Sequence, residues 1–216
     1  MPLEEQTKIA EAAIKAGVKR FIPSEYGSDS SPKKAHLDWL ATKEDQISWT
    51  AICTGPFFDW AEKTRDILWA QTGDDQLRPR EQDCHVTMVD GGKTRFTTSN
   101  VAQIGRAIVS VLQHPVETKN QLVFVESFTT TQAEVLAVLE KLTGQAWKVK
   151  EAIRENGLAK FSQGDLMGGG AAVIMALVLG EGGLEDHTNV EGDLWNQRLG
   201  LESESVEETV REVLQL

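Results

Sequence analysis

Two stretches of the chain gather residue types that can move protons or stack against flat rings. The first runs Pro23-Ser24-Glu25-Tyr26-Gly27 and leads to Lys33 and Lys34 just behind Pro32. Proline favours the first position of a helix, so both lysines fall in a first turn. Unpaired amides and any nearby cation depress an ammonium pKa there and suit it to hand a proton to a carbonyl or alkoxide oxygen. A solvated surface lysine is the ordinary alternative, and Lys33 competes with Lys34 for the role. Tyr26 is the other candidate acid. A tyrosine–lysine pair acting from one helix face needs a spacing of about four residues. Lys34 follows Tyr26 at eight, across a loop and Pro32, so Tyr26 reads as a packing residue. The second stretch is Thr54-Gly55-Pro56-Phe57-Phe58-Asp59-Trp60. Its aromatic side chains can stack on a planar ligand or anchor a loop in the core, and the two roles are compatible.

Other chemistries lack their patterns. The chain has no G-x-S-x-G elbow and no G-x-x-x-x-G-K-[ST] loop. His36, His85, His114 and His187 are scattered, and Cys53 and Cys84 lack metal-ligand spacing, so neither a metal site nor a nucleophilic triad is expected. Gly168-Gly169-Gly170 follows no apolar strand and reads as a joint rather than a phosphate cradle.

The elements around these residues alternate. Leu3, Ile9, Ala10, Ala13 and Ile14 share a helical face that Gly17 ends. Val18 to Ile22 form a strand ended by Pro23, a second helix starts after Ser31, and Ser48 to Thr54 form an apolar, β-branched strand ended by Gly55-Pro56. Strand–helix alternation of this kind signals a parallel sheet. Right-handed crossovers then place the loops after residues 23 and 54 and the start of the second helix around one crevice. Further on, His85 to Val89 and Thr94 to Thr98 read as extended pieces about the turn Asp90-Gly91-Gly92. Residues 71–85 read as a loop, Asn100 to Leu112 as a periodic helix and Gln121 to Val125 as a strand. Thr131-Gln132-Ala133-Glu134 resembles a capping box opening a helix to about Leu142, ended by Gly144. Residues 151–200 read as helical with glycine joints, and Val206 to Leu214 as a terminal helix.

In order along the chain, Ala16 to Asp29, Lys34-Ala35-His36-Leu37, Asp90-Gly91-Gly92-Lys93-Thr94-Arg95-Phe96, Val101-Ala102-Gln103-Ile104-Gly105, Leu139-Glu140-Lys141-Leu142-Thr143-Gly144 and Leu194 to Leu201 resemble motifs of the NmrA-like and isoflavone-reductase-like oxidoreductases. These are atypical short-chain dehydrogenases, and the match is to their fungal-type members. Asp38 stands where the family's lysine pattern has a basic residue, and Gln103 where its helix has aspartate, so the charge or cap that the aspartate provides is expected to be lost. The resemblance implies an α/β fold: part of a Rossmann-type, doubly wound parallel sheet (residues 1–70 and about 86–128) with a small, mostly helical substrate lobe (about 129–216). It implies Lys34 as the catalytic lysine, and Pro23, Ser24, Gly55, Pro56, Phe57 and Phe58 as residues facing the cofactor NADP(H). The implied activity is reduction of a small aromatic or secondary metabolite. A dinucleotide-sensing protein without turnover is the alternative.

The family's glycine-rich nucleotide-binding segment is expected ahead of Ala16-Gly17, where this sequence holds only fifteen residues. An N-terminally truncated chain is the resulting expectation, with an exposed sheet edge that a second copy or a partner chain would cover. The composition is that of an ordinary water-soluble domain, 40% hydrophobic and 25% charged over 216 residues. A net charge of −11 argues against nucleic-acid contact. The apolar run Ala171 to Leu179 is far shorter than the ~20 residues that span a bilayer. A reduced, buried Cys53 and the absence of a secretory pattern suit the cytoplasm.

Overall fold

In the computed structural model the described residues are 3–26, 31–62, 66–67, 70–71, 85–152, 159, 177–183, 185–190 and 194–216. The glycine triplet at 168–170, Cys84 and most of the 71–85 and 171–179 stretches lie outside them. Helix α1 (Leu3–Lys15) ends at Gly17, whose φ of 72° only glycine adopts easily. Strand β1 (Arg20–Phe21), helix α2 (Ser31–Ala41) and strand β2 (Ser48–Cys53) follow.

Strands β3 (Asp66–Ile67), β4 (Ala70–Gln71), β5 (His85–Val89) and β6 (Arg95–Thr98) precede helix α3 (Val101–Gln113) and strand β7 (Gln121–Phe124). Strand β8 (Phe128–Thr131), helix α4 (Gln132–Thr143), strand β9 (Lys148–Ala152) and helix α5 (Val206–Val213) follow, with short 3-10 turns at Asp59–Glu62, Asp90–Gly92 and His187–Asn189.

Strands β1, β2 and β7 form a parallel sheet in that order, with Phe21 beside Trp49 and Cys53 beside Phe124. All of β2 after Ser48 is buried, as the apolar, β-branched run requires of a central parallel strand. Arg20 fixes its edge. The guanidinium donates to Ser48 Oγ (2.9 Å), Thr50 Oγ1 (2.6 Å), Thr118 Oγ1 (3.2 Å) and the Pro115 carbonyl (2.5 Å).

A second sheet runs β3-β4-β5-β9, with β5 and β9 parallel, and β6 pairs antiparallel with β8. Within residues 86–128, then, only β7 joins the β1–β2 sheet. Strands β8 and β9 lack a clear apolar alternation. Phe128–Thr131 is one phenylalanine followed by threonines, and β9 (KVKEA) is nearly all exposed, so pairing partners rather than patterning define both. The stretch expected to be helical from residue 151 opens instead with the last two residues of β9.

The helices follow their caps. Thr131 and Glu134 form the capping box of α4, and Gly144 ends it at φ 66°. Gln132 of α4 acts as a strand partner for β5, accepting the Val89 N–H (2.9 Å) and donating to the Thr87 carbonyl (2.7 Å). Helix α3 buries Ile104, Ala107 and Val111 while Val101, Val109 and Leu112 stay exposed. Gln103 retains a bridging role without the family's aspartate: its amide donates to the Glu126 and Glu202 carbonyls (3.2 and 2.8 Å), and its oxygen accepts from Arg106. Leu139 of α4 and Val210 of α5 share a core cluster with Phe58, Phe96 and Phe128. Ile52, Val123 and Trp195 centre another, and Ala10, Leu40 and Trp49 a third between α1, α2 and the sheet.

Candidate active site

Loops leave the carboxyl ends of β1, β2 and β7 together, at the edge where open α/β sheets bind their ligands. After β1, Pro23 is buried and Ser24 exposed, with the Ser24 N–H held by Gln6 Oε1 at 2.9 Å. Tyr26 packs against the Ile52–Val123–Trp195 cluster, and burial pushes its phenol pKa up. The buried Cys53 thiol donates to the Glu25 carbonyl at 3.9 Å.

The loop after β2 is stapled to the end of β6. Thr98 Oγ1 donates to the Pro56 carbonyl and Ser99 Oγ to the Thr54 carbonyl, both at 2.7 Å. The Phe58 N–H donates to the Ser99 carbonyl and the Ser99 N–H to the Pro56 carbonyl (3.0 and 3.2 Å). Gly55, at φ 63°, lies directly against the Thr97 carbonyl. The aromatic run divides. Phe58 is fully buried with its ring edge-on to Phe128 at 5.0 Å, whereas half-buried Phe57 tilts against Trp60, which is 49% exposed.

Lys34 lies on the outside of α2. Its ammonium stands 3.4 Å from Asp38 Oδ1, one turn on, and the two side chains are 74% and 67% exposed. Asp38 is its polar partner among the described residues. The side chain of Lys33 is outside them.

A third wall was not visible in the sequence. The Thr97 N–H donates to the Glu185 carbonyl (2.7 Å), and the His187 N–H donates to Thr97 Oγ1 (3.0 Å). Thr97 and Thr129 hydroxyls meet at 2.9 Å, and Thr129 donates to Glu126 Oε2 (2.5 Å). Since Thr129 gives its hydrogen to the carboxylate, Thr97 must donate to Thr129. The chain of hydroxyls therefore has one direction, from the His187 backbone to Glu126.

Beside it the side chains of Glu185 and His187 are buried, with Oε2 and Nε2 3.6 Å apart and the imidazole edge-on to Phe124 at 4.9 Å. Arg95 pairs with Asp186 at 3.5 Å, and Asp186 caps the turn His187–Asn189 through the Thr188 N–H and hydroxyl. Burial pushes the Glu126 carboxyl above the usual carboxylate range, outweighing the Thr129 hydrogen bond and the Arg95 charge. For Asp186 burial also acts upward, but the two Thr188 hydrogen bonds and the charges of Arg95 and His187 hold it below that range. The run Asp186-His187-Thr188-Asn189 carries a local capping signal, yet nothing local ties it to Thr97. No group of three His, Cys, Asp or Glu side chains suited to a metal ion occurs among the described residues, and none of their helices is long and apolar enough to cross a membrane.

Parallel strands with crossover helices and a loop-built carboxyl edge define a Rossmann-type α/β fold. No family model matches the chain. Oxidoreductase poxI of Penicillium oxalicum is 33% identical over 235 aligned positions, which cover 98% of this chain and 70% of that protein. Isoflavone reductase superimposes with a TM-score of 0.72 at 18% identity, covering 98% of this chain and 71% of that one. The NADPH complex of Vitis vinifera leucoanthocyanidin reductase superimposes with a TM-score of 0.75 at 17% identity, covering 99% and 72%. The chain belongs to the NmrA-like, isoflavone-reductase-like family of oxidoreductases.

Proposed function

We propose that the protein is an NAD(P)H-dependent reductase of a small, aromatic or secondary metabolite. The observation that carries this reading is the Thr54–Phe58 loop, stapled by Thr98 and Ser99 at the carboxyl edge of the β1–β2–β7 sheet. Flat, half-buried Pro56 and Phe57 suit a nicotinamide ring, with exposed Ser24 on the loop after β1 at the same sheet edge, Pro23 and Gly55 shaping the two turns and Phe58 anchoring the loop from the core. The phosphates of such a cofactor call for a glycine-rich turn opening a helix, which is not among the described residues. When bound, the reduced nicotinamide supplies the hydride.

The chain's own contribution is to hold the substrate carbonyl over Phe57 and to protonate its oxygen from the Lys34 ammonium. Exposure leaves that ammonium free to swing away from Asp38, because surface ion pairs are weak. A second reading is a dinucleotide-sensing protein without turnover. It draws on the same pair, since Asp38 occupies the position of a basic residue in the family pattern and engages the lysine.

Titration with NADPH tests the first reading, read as energy transfer from the six tryptophans, together with nicotinamide oxidation over a panel of aromatic ketones. Saturable binding with oxidation is expected. Binding with no oxidation over the whole panel favours the sensing reading, and no binding at millimolar NADPH overturns both.

A further inference from the structure

We propose that Glu204 is a positioning residue, which holds the Thr54–Asp59 loop in place by locking the junction between β6 and α3. Its importance for turnover rests on the reductase reading of that loop; the lock itself does not. The loop leans on residues 98–101. Thr98 Oγ1 and Ser99 Oγ donate to the Pro56 and Thr54 carbonyls, and the Phe58 and Ser99 N–H groups donate to the Ser99 and Pro56 carbonyls. At the far end of the loop, the Asp59 carboxylate accepts the Val101 N–H (2.8 Å). It thereby caps α3, whose own N-cap residue Asn100 makes no side-chain capping bond. The loop is therefore placed only as well as this junction is.

Glu204 fastens the junction from the C-terminal part of the chain. Its Oε2 accepts from Ser127 Oγ (2.6 Å) and Asn100 Nδ2 (2.8 Å), and its Oε1 accepts from the Arg106 guanidinium. Ser127 passes the hold inward. Its Oγ accepts the Asn100 N–H and its own N–H donates to the Thr98 carbonyl, both at 2.9 Å. The Glu204 N–H donates back to the Ser127 carbonyl (3.2 Å). One carboxylate thus ties Ser127, Asn100 and Arg106 together directly, and Thr98 through Ser127.

The charge is essential to that hold. Every partner of the Glu204 carboxyl is a donor, and hydrogen bonds to an ionised acceptor are the stronger kind. The side chain is only 23% exposed, so water replaces those bonds poorly. Glutamine has one acceptor oxygen and a donating NH2 group. In either orientation it sets N–H against a donor. Asn100 Nδ2 also donates to Thr209 Oγ1 (2.8 Å), so the variant keeps one tie between the junction and α5 and is expected to fold.

The test uses Glu204→Gln, Ser127→Ala and the double variant, with Arg20→Lys as a control destabilised at the β1 edge. Amide hydrogen exchange is read at Phe58 and Ser99 and compared with Ile52 and Val123 in the central sheet. Glu204→Gln should speed exchange at Phe58 and Ser99 about tenfold, the scale of one hydrogen bond to a charged group, and leave Ile52 and Val123 within about twofold of wild type. The double variant should exceed the larger single effect by no more than about twofold, because both residues act through one network. Arg20→Lys should show no selective effect on the loop. Where Glu204→Gln does not fold, Ser127→Ala carries the same comparison.

Activity gives the second readout. A misplaced nicotinamide should lower kcat per NADPH-binding site about tenfold, with the KM for NADPH within about twofold of wild type, since the loop sets alignment rather than phosphate binding. Unchanged exchange at Phe58 and Ser99, equal acceleration throughout the sheet, or additive effects in the double variant overturns the proposal. Selective acceleration with unchanged kcat also overturns it, by reducing Glu204 to a structural tie. Selective acceleration in a chain whose wild type oxidises no NADPH upholds the lock and rejects the reductase reading instead.

Discussion

Gly55 is pressed so closely against Thr97 that a Cβ added to the glycine would lie 2.0 Å from the Thr97 carbonyl oxygen. Neither side can yield easily, because the obstacle is backbone and Thr97 is itself held by Glu185 and His187. Gly55→Ala also meets a φ of 63°, which costs a non-glycine residue about 1 kcal/mol before any clash. Overpacking adds ~1–3 kcal/mol. Urea unfolding of Gly55→Ala should show a loss of at least ~2 kcal/mol, and a midpoint equal to wild type would contradict the close approach.

Arg20 makes four hydrogen bonds across β2 and the turn before β7. Lysine keeps the charge but cannot reproduce the fork of donors. Arg20→Lys should cost about 1–3 kcal/mol in thermal or urea unfolding, with the loss little changed by salt because most of it is geometry. A loss under ~0.3 kcal/mol would place these bonds among ordinary surface contacts.

His36 is fully buried between the Phe21 ring, edge-on at 6.4 Å, and the Trp39 ring, stacked at 5.8 Å. Neither ring nitrogen has a hydrogen-bond partner among the described residues. Burial lowers its pKa below the ordinary 6.5, so the folded protein holds it neutral while the unfolded chain protonates it near 6.5. The stability it contributes is therefore complete above about pH 6.5 and is lost as pH falls from there toward the folded value, by at most ~1.4 kcal/mol per pH unit. His36→Leu should flatten that part of the stability–pH curve. Parallel curves for wild type and variant would reject the assignment.

Lys34→Ala should lower kcat by roughly 10²-fold or more if the ammonium is the proton donor, with NADPH affinity nearly unchanged. Lys33→Ala should stay within about twofold of wild type. The reverse pattern would move the role by one residue along α2.

Glu126→Gln removes a carboxylate whose protonation burial favours. A raised folded pKa means the native state binds the proton more tightly than the unfolded chain, so the benefit holds at low pH and disappears as pH rises through the folded value. At pH 7 the amide should thus be no less stable than the carboxylate. A drop in Tm of several degrees would show that the ionised form has a structural role beyond Thr129.

Much of this protein was legible locally. The capping box of Thr131 and Glu134, the glycine stops at Gly17 and Gly144, the α3 period and the paired strands at Phe21 and Trp49 depend on residues within a turn or two, and each formed near its expected place, β1 shortened to Arg20–Phe21. Motif order also marked the family. The aromatic run showed the limit of such reading, since identical side chains at Phe57 and Phe58 face opposite environments that only the staple to Ser99 decides.

Sequence alone therefore determined α1 to α5, the parallel β1 and β2 and the edge where a site belongs, because short-range propensity and periodicity carry that information. Strands β8 and β9 and the antiparallel pairings came from tertiary partners. Tertiary structure alone decided what the edge is made of. Thr97 joins Gly55, Thr129 and His187, residues separated by tens of positions, and their meeting has no local signature. It depends on closing long loops and filling a shared core, which no stretch of the chain encodes by itself.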